Sequence, residues 1–156
     1  MKIISGGQTG ADRAALDVAL ELGIDCGGWC PRGRLAEDGV IGMVYPLRET
    51  ESAVYEERTQ RNILDSDGTL VCNTGPLSGG TLLTAEFARQ AGKPCLILNL
   101  DEIDLEEALW RLREWIDENG IEVLNVAGPR ASGRPGIYDR TRRLLERLLS
   151  GKERGV

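Results

Sequence analysis

Short apolar runs alternate with stretches of helical period along the chain. Residues 2–5 read as a short buried strand. Residues 11–22 place Ala11, Ala14, Ala15, Val18, Ala19 and Leu22 on one face and Arg13, Asp17 and Glu21 opposite, the pattern of an amphipathic helix. Gly23 closes it. Residues 24–29 predict a second short strand, and residues 30–51 have no period at all. A connection of that length without elements of its own is usually functional or mobile. Residues 52–65 predict a helix with a weak apolar stripe.

The second half repeats the alternation. TLVC at 69–72 is a strand, and a helix follows from about Leu82 to Ala91, ended by Gly92-Lys93-Pro94. CLILNL at 95–100 is the near-continuous apolar run of a strand buried on both faces. Asp104 to Glu107 resembles a capping box opening a helix that carries Leu105, Ala108, Leu109, Leu112 and Ile116. IEVLNVAG at 121–128 predicts another strand, and residues 136–149 the closing helix. Strands alternating with helices predict an α/β fold with a mostly parallel sheet and helices on both faces. Residues 1–150 read as one domain and 151–156 as a frayed tail. In such sheets ligands bind at the carboxyl ends of the strands, and the unusual residues of this chain do gather directly after the strands.

The first such stretch is Ser5-Gly6-Gly7-Gln8-Thr9-Gly10. It lacks the lysine of a P-loop and the spacing of GxGxxG. Glycines still let a backbone approach a ligand, and the N–H groups of the following helix favour an anion. The second stretch, Asn73 to Thr81, includes Gly75, Ser78, Gly79, Gly80 and Thr81, so that two glycine-rich turns form a two-sided cradle for an oxyanion. Asn125 and Arg130 lie at and just beyond the end of the last strand. The long segment offers Cys30, Arg32, Arg34, Glu37 and Asp38 as a lid or wall, and Arg58 and Asn62, four apart, present one helix face toward the pocket.

Composition narrows the chemistry. The 156 residues carry a net charge of −6, which speaks against polymeric nucleic acid as a partner. Arginine outnumbers lysine by 16 to 3, as suits bidentate recognition of phosphate or carboxylate. With no histidine, any proton transfer falls to carboxylates, water or a cofactor, with Asp12, Glu37, Asp38 and Glu86 as the acid–base candidates. Cys72 and Cys95 lie in apolar runs; the lone Cys26–Cys30 pair lacks the paired spacing of a zinc site, so no metal centre is expected. No run reaches membrane-spanning length and no signal-like segment opens the chain, so a cytoplasmic location and no membrane partner are expected.

Taken together, ISGGQTGADRAALDVAL, CGGWCPRGRLAEDG, TGPLSGGTLLTAEFA and LNVAGPR closely resemble the molybdenum carrier family, within the wider SLOG-type Rossmann-like group, over about residues 2 to 148. The resemblance implies a Rossmann-like three-layer fold and a homo-oligomer. It also implies a small phosphorylated ligand, the molybdenum cofactor or another nucleotide-like molecule, held by the glycine loops. The same group includes the lonely-guy phosphoribohydrolases, whose PGGxGTxxE loop is replaced here by LSGGT with Glu86 five residues beyond Thr81. A carrier is therefore the first expectation. The alternatives are a nucleoside-phosphate hydrolase or transferase, and a nucleotide-sensing domain.

Overall fold

Each apolar run that alternates with a helix becomes a strand of one parallel sheet. The computed structural model describes residues 1–151. Its first half runs β1 (Lys2–Ile4), α1 (Ala11–Leu22), β2 (Cys26–Gly27), β3 (Trp29–Cys30), β4 (Leu35–Ala36), β5 (Gly39–Val40), β6 (Arg48–Glu49) and α2 (Tyr55–Leu64). The second half runs β7 (Gly68–Asn73), α3 (Gly79–Gln90), β8 (Cys95–Asn99), α4 (Leu105–Asn119), β9 (Val123–Ala127) and α5 (Ile137–Leu149). The main sheet has the order β2-β1-β9-β7-β8, with every neighbouring pair parallel. This is the Rossmann-like α/β architecture. The tail expected to fray lies outside the described residues apart from Gly151.

Local chemistry sets the boundaries. Gly23 adopts the left-handed conformation that closes α1, and Asp104 caps α4 by accepting the Glu107 N–H at 2.8 Å. The single strand expected over 24–29 is split. At Gly28 (φ 129°) a Cβ would lie 2.2 Å from the Ser5 carbonyl oxygen, so the chain turns out of the main sheet there. β3 instead pairs with β6, inside the segment that lacked a period. α3 begins at Gly79, three residues earlier than its apolar stripe, so both glycines belong to its first turn.

The two faces of the sheet differ. α1, α4 and α5 pack on one face, where Ile3, Leu70, Cys72, Leu124 and Val126 meet Val18, Leu109, Leu112, Leu144 and Leu145 in the main core. Burying each such aliphatic side chain contributes roughly 1.5–3 kcal/mol. Strand alternation turns Thr69, Asn73 and Asn125, all buried, to the other face. There α2 and α3 pack together, over a polar floor.

Candidate ligand-binding site

β1 connects outward to β2 and β7 connects outward to β8, with β9 between them. Their carboxyl ends therefore flank the crevice where strand order reverses. A cavity of about 480 Å³ opens there, lined by the β1–α1 turn, one face of α2, the start of α3 and the β9–α5 connection. Of the residues expected in the site, Gly6, Gln8, Ser78, Gly79, Gly80, Thr81, Asn125 and Arg130 line this cavity.

Ser5, Gly7, Thr9, Arg32 and Gly75 do not. Ser5 is fully buried and donates to the Asp12 carbonyl at 2.9 Å. A Cβ on Gly7 would fall 2.5 Å from Leu47 Cδ1, so that glycine admits the long segment. The Thr9 hydroxyl donates to the Glu37 carboxylate and accepts the Ala131 N–H at 3.1 Å. Arg32 is exposed away from the cavity. The Gly75 carbonyl accepts from Asn73 Nδ2 at 2.9 Å.

The glycines of the first turn thus make room chiefly for the protein itself. At Gly6 a Cβ would stand 1.7 Å from Arg58 Nη1, and at Gly10 it would stand 2.3 Å from the Pro129 carbonyl oxygen. The start of α1 is also closed over by the protein, its Ala11 N–H meeting the Pro129 carbonyl oxygen at 3.4 Å. Gln8 Oε1 accepts the Thr9 and Glu37 N–H groups, and Glu37 accepts the Ser132 N–H at 3.1 Å. Those Ser132 and Thr9 contacts hold the Glu37 carboxyl below its usual range.

The start of α3, uncapped by a side chain as α1 is, differs in facing open space. Its N-cap residue Ser78 makes no side-chain cap, and nothing lies within 4 Å of a Cβ placed on Gly79 or Gly80. Helix-terminal amides without partners attract anions. Arg134 lies alongside, donating to the carbonyls of Thr74 at 2.7 Å and Pro76 at 3.2 Å while still lining the cavity. Arg130 is largely exposed, 4.0 Å from Glu37.

Across the cavity, Arg58 Nη1 lies 3.1 Å from Asp12 Oδ2. Burial pushes the Asp12 carboxyl up, against the pull of Arg58. Of the four acid–base candidates only Asp12 lines the cavity. Glu37 and Asp38 form the β4–β5 tip, where Arg13 holds Asp38 at 3.1 Å, and Glu86 is exposed on α3. Asn62 lines the cavity but spends its amide on the Trp29 backbone, at 2.8 and 3.0 Å. Arg134, Tyr55, Thr59 and Thr84 also line it and were not expected. Arg134 falls between Gly133 and Pro135, a context that looks like plain turn sequence.

The family model for the circularly permutated YpsA SLOG family matches residues 3–149. A solved structure is also similar, the 1.45 Å crystal structure of a "Putative molybdenum carrier protein" from Syntrophus aciditrophicus SB. It is 53% identical, with a TM-score of 0.93, over 95% of this chain and 94% of that one. No curated protein matches significantly.

Proposed function

This chain belongs to the circularly permutated YpsA SLOG family, and on that premise we propose that its cavity binds a small phosphate-bearing, nucleotide-like ligand, as a carrier or binding protein. The observation that carries the reading is the uncapped start of α3 opening, beside Arg134, into a cavity of about 480 Å³. A phosphate there would accept from the α3 amides, with Arg134 and the exposed Arg130 supplying countercharge.

The name of the similar crystal structure makes the molybdenum cofactor the first cargo to test. The lining fits a phosphate and a polar ring. Among the described residues no cysteine or histidine lines the cavity, so a cargo of this kind would be held through its organic part and not by thiolate or imidazole bonds to the metal. A hydrolase or transferase is the second reading, favoured by one observation: Asp12 is a buried carboxylate inside the cavity.

The test is titration calorimetry with ribose 5-phosphate, on wild type and on Gly80→Asp. Gly80 has a negative φ and open space at its Cβ, so aspartate fits the helix while bringing negative charge to the phosphate position. At least tenfold weaker binding is expected for the variant. Equal affinity would move the anion elsewhere. Native mass spectrometry with molybdenum analysis on the purified protein tests the cargo; an ordinary nucleotide there would refute the cofactor reading.

A further inference from the structure

The two ends of the cavity differ in chemistry. On the β7 side stand the α3 amides and Arg134, all donors. On the β1 side a carboxylate stands beside a guanidinium. The Asp12 and Arg58 side chains are only 8% and 14% exposed, and both line the cavity. Two features of the pair ask for a third participant. Among the described residues, Arg58 hydrogen-bonds only through Nη1, and the Asp12 carboxylate accepts from Arg58 and from the Gln8 backbone, which leaves further acceptor positions on the carboxylate. The Arg58 guanidinium also lies 5.4 Å from the centroid of the Tyr55 ring, which lines the cavity as well and adds a flat surface.

An ionised carboxylate only accepts hydrogen bonds and a guanidinium only donates them. A ligand edge that satisfies both must carry an N–H next to a strong acceptor. A cyclic amide supplies that as a polarised N–H beside C=O. A 2-amino group next to the same N–H adds a second donor, which only an acceptor such as Asp12 can satisfy. Adenine offers one amino donor beside a ring-nitrogen acceptor, so it can meet each partner once but cannot give the carboxylate two adjacent N–H donors.

We propose that the Asp12–Arg58 pair reads a 2-amino cyclic-amide edge, so that the cavity selects phosphorylated heterocycles of the guanine or pterin kind. The phosphate lies at the start of α3 and the ring reaches across the floor at Asn125 to the pair. This inference rests on the phosphate-ligand reading above and adds the identity of the ring.

The experiment compares GMP, AMP and ribose 5-phosphate by calorimetry on the intact protein. GMP is expected to bind at least tenfold more tightly than the other two. Asp12→Asn and Arg58→Lys, the second of which keeps the buried charge balanced, should each cut the advantage of GMP over ribose 5-phosphate below threefold. Three results overturn the proposal. If all three compounds bind alike, the ring inference fails and the phosphate site stands. If GMP is preferred but the preference survives in both variants, another group reads the ring. If none of the three binds, the phosphate reading fails and this inference falls with it.

Discussion

Arg34 brings a buried positive charge into the segment between β3 and β6, where among the described residues no carboxylate bonds it. Its guanidinium donates instead to the carbonyls of Ile41, Leu47, Gly42 and Tyr45, at 2.8 to 3.1 Å. Its own backbone is left-handed, φ 57°. One side chain thus satisfies the carbonyls of a turn that has no ladder of its own. Arg34→Ala should lower the urea-unfolding free energy by about 2–4 kcal/mol, since four acceptors, two of them buried, lose a charged donor. Arg34→Lys should recover only part of it, because a point charge lacks the fork. In the sequence, Arg34 is indistinguishable from Arg32: two arginines in one polar stretch, one a buried scaffold and the other exposed. The glycines allow a second comparison at this scale. Gly6→Ala meets the Arg58 side chain, whereas Gly10→Ala, at φ 83°, meets the Pro129 backbone. Chemical denaturation should therefore find Gly10→Ala the more damaging, by at least about 1 kcal/mol given the positive φ.

Among the elements, the β4–β5 hairpin acts as a latch. Its two-residue tip, Glu37 and Asp38, reaches back to the start of α1 and to Ser132 in the β9–α5 connection. Hydrogen bonds from Ser132 and Thr9 lower the Glu37 pKa in the folded protein, and Arg13 lowers that of Asp38. A lowered folded-state pKa means stabilisation that is present above the ordinary carboxylate range and lost as pH falls through the folded value. Hydrogen exchange over residues 35–40 should therefore quicken, relative to β7, between about pH 5 and pH 3. Glu37→Gln should already exchange faster at pH 7 and lose most of that pH response. A flat profile in wild type would remove the latch. The long elements were legible in the sequence because each carries its own period or cap, as α1 and α4 show. β3, β4, β5 and β6 were not, since each is two residues long. β3 and β6 are held by a partner distant in sequence, Trp29 on Arg48, and β4 and β5 by a hairpin too short to show a period. The site was legible for the same reason in part: glycines after strands mark it, but nothing local says which glycine faces a ligand and which faces Arg58.

At the scale of the whole molecule, the sheet closes one face with the main core and leaves the cavity on the other. The α1–α4–α5 face is closed by aliphatic packing, whereas the α2–α3 face carries the cavity and, within it, the buried Asp12–Arg58 pair. Desolvating two charges offsets most of their attraction, so a buried pair contributes little net stability, yet removing one partner strands the other. This separates a site from a clamp. Asp12→Leu alone leaves the guanidinium without its anion and should cost about 3 kcal/mol or more. Arg58→Met alone should cost less, because the carboxyl, already raised by burial, can take up a proton. Asp12→Leu/Arg58→Met together should return to within about 1 kcal/mol of wild type, or exceed it, while losing the preference for GMP. Urea unfolding of the four proteins closes the cycle. If the double variant stays about as unstable as Asp12→Leu alone, the pair holds α2 against α1 as structure. If it folds well and no longer selects among nucleotides, the pair is retained for its ligand.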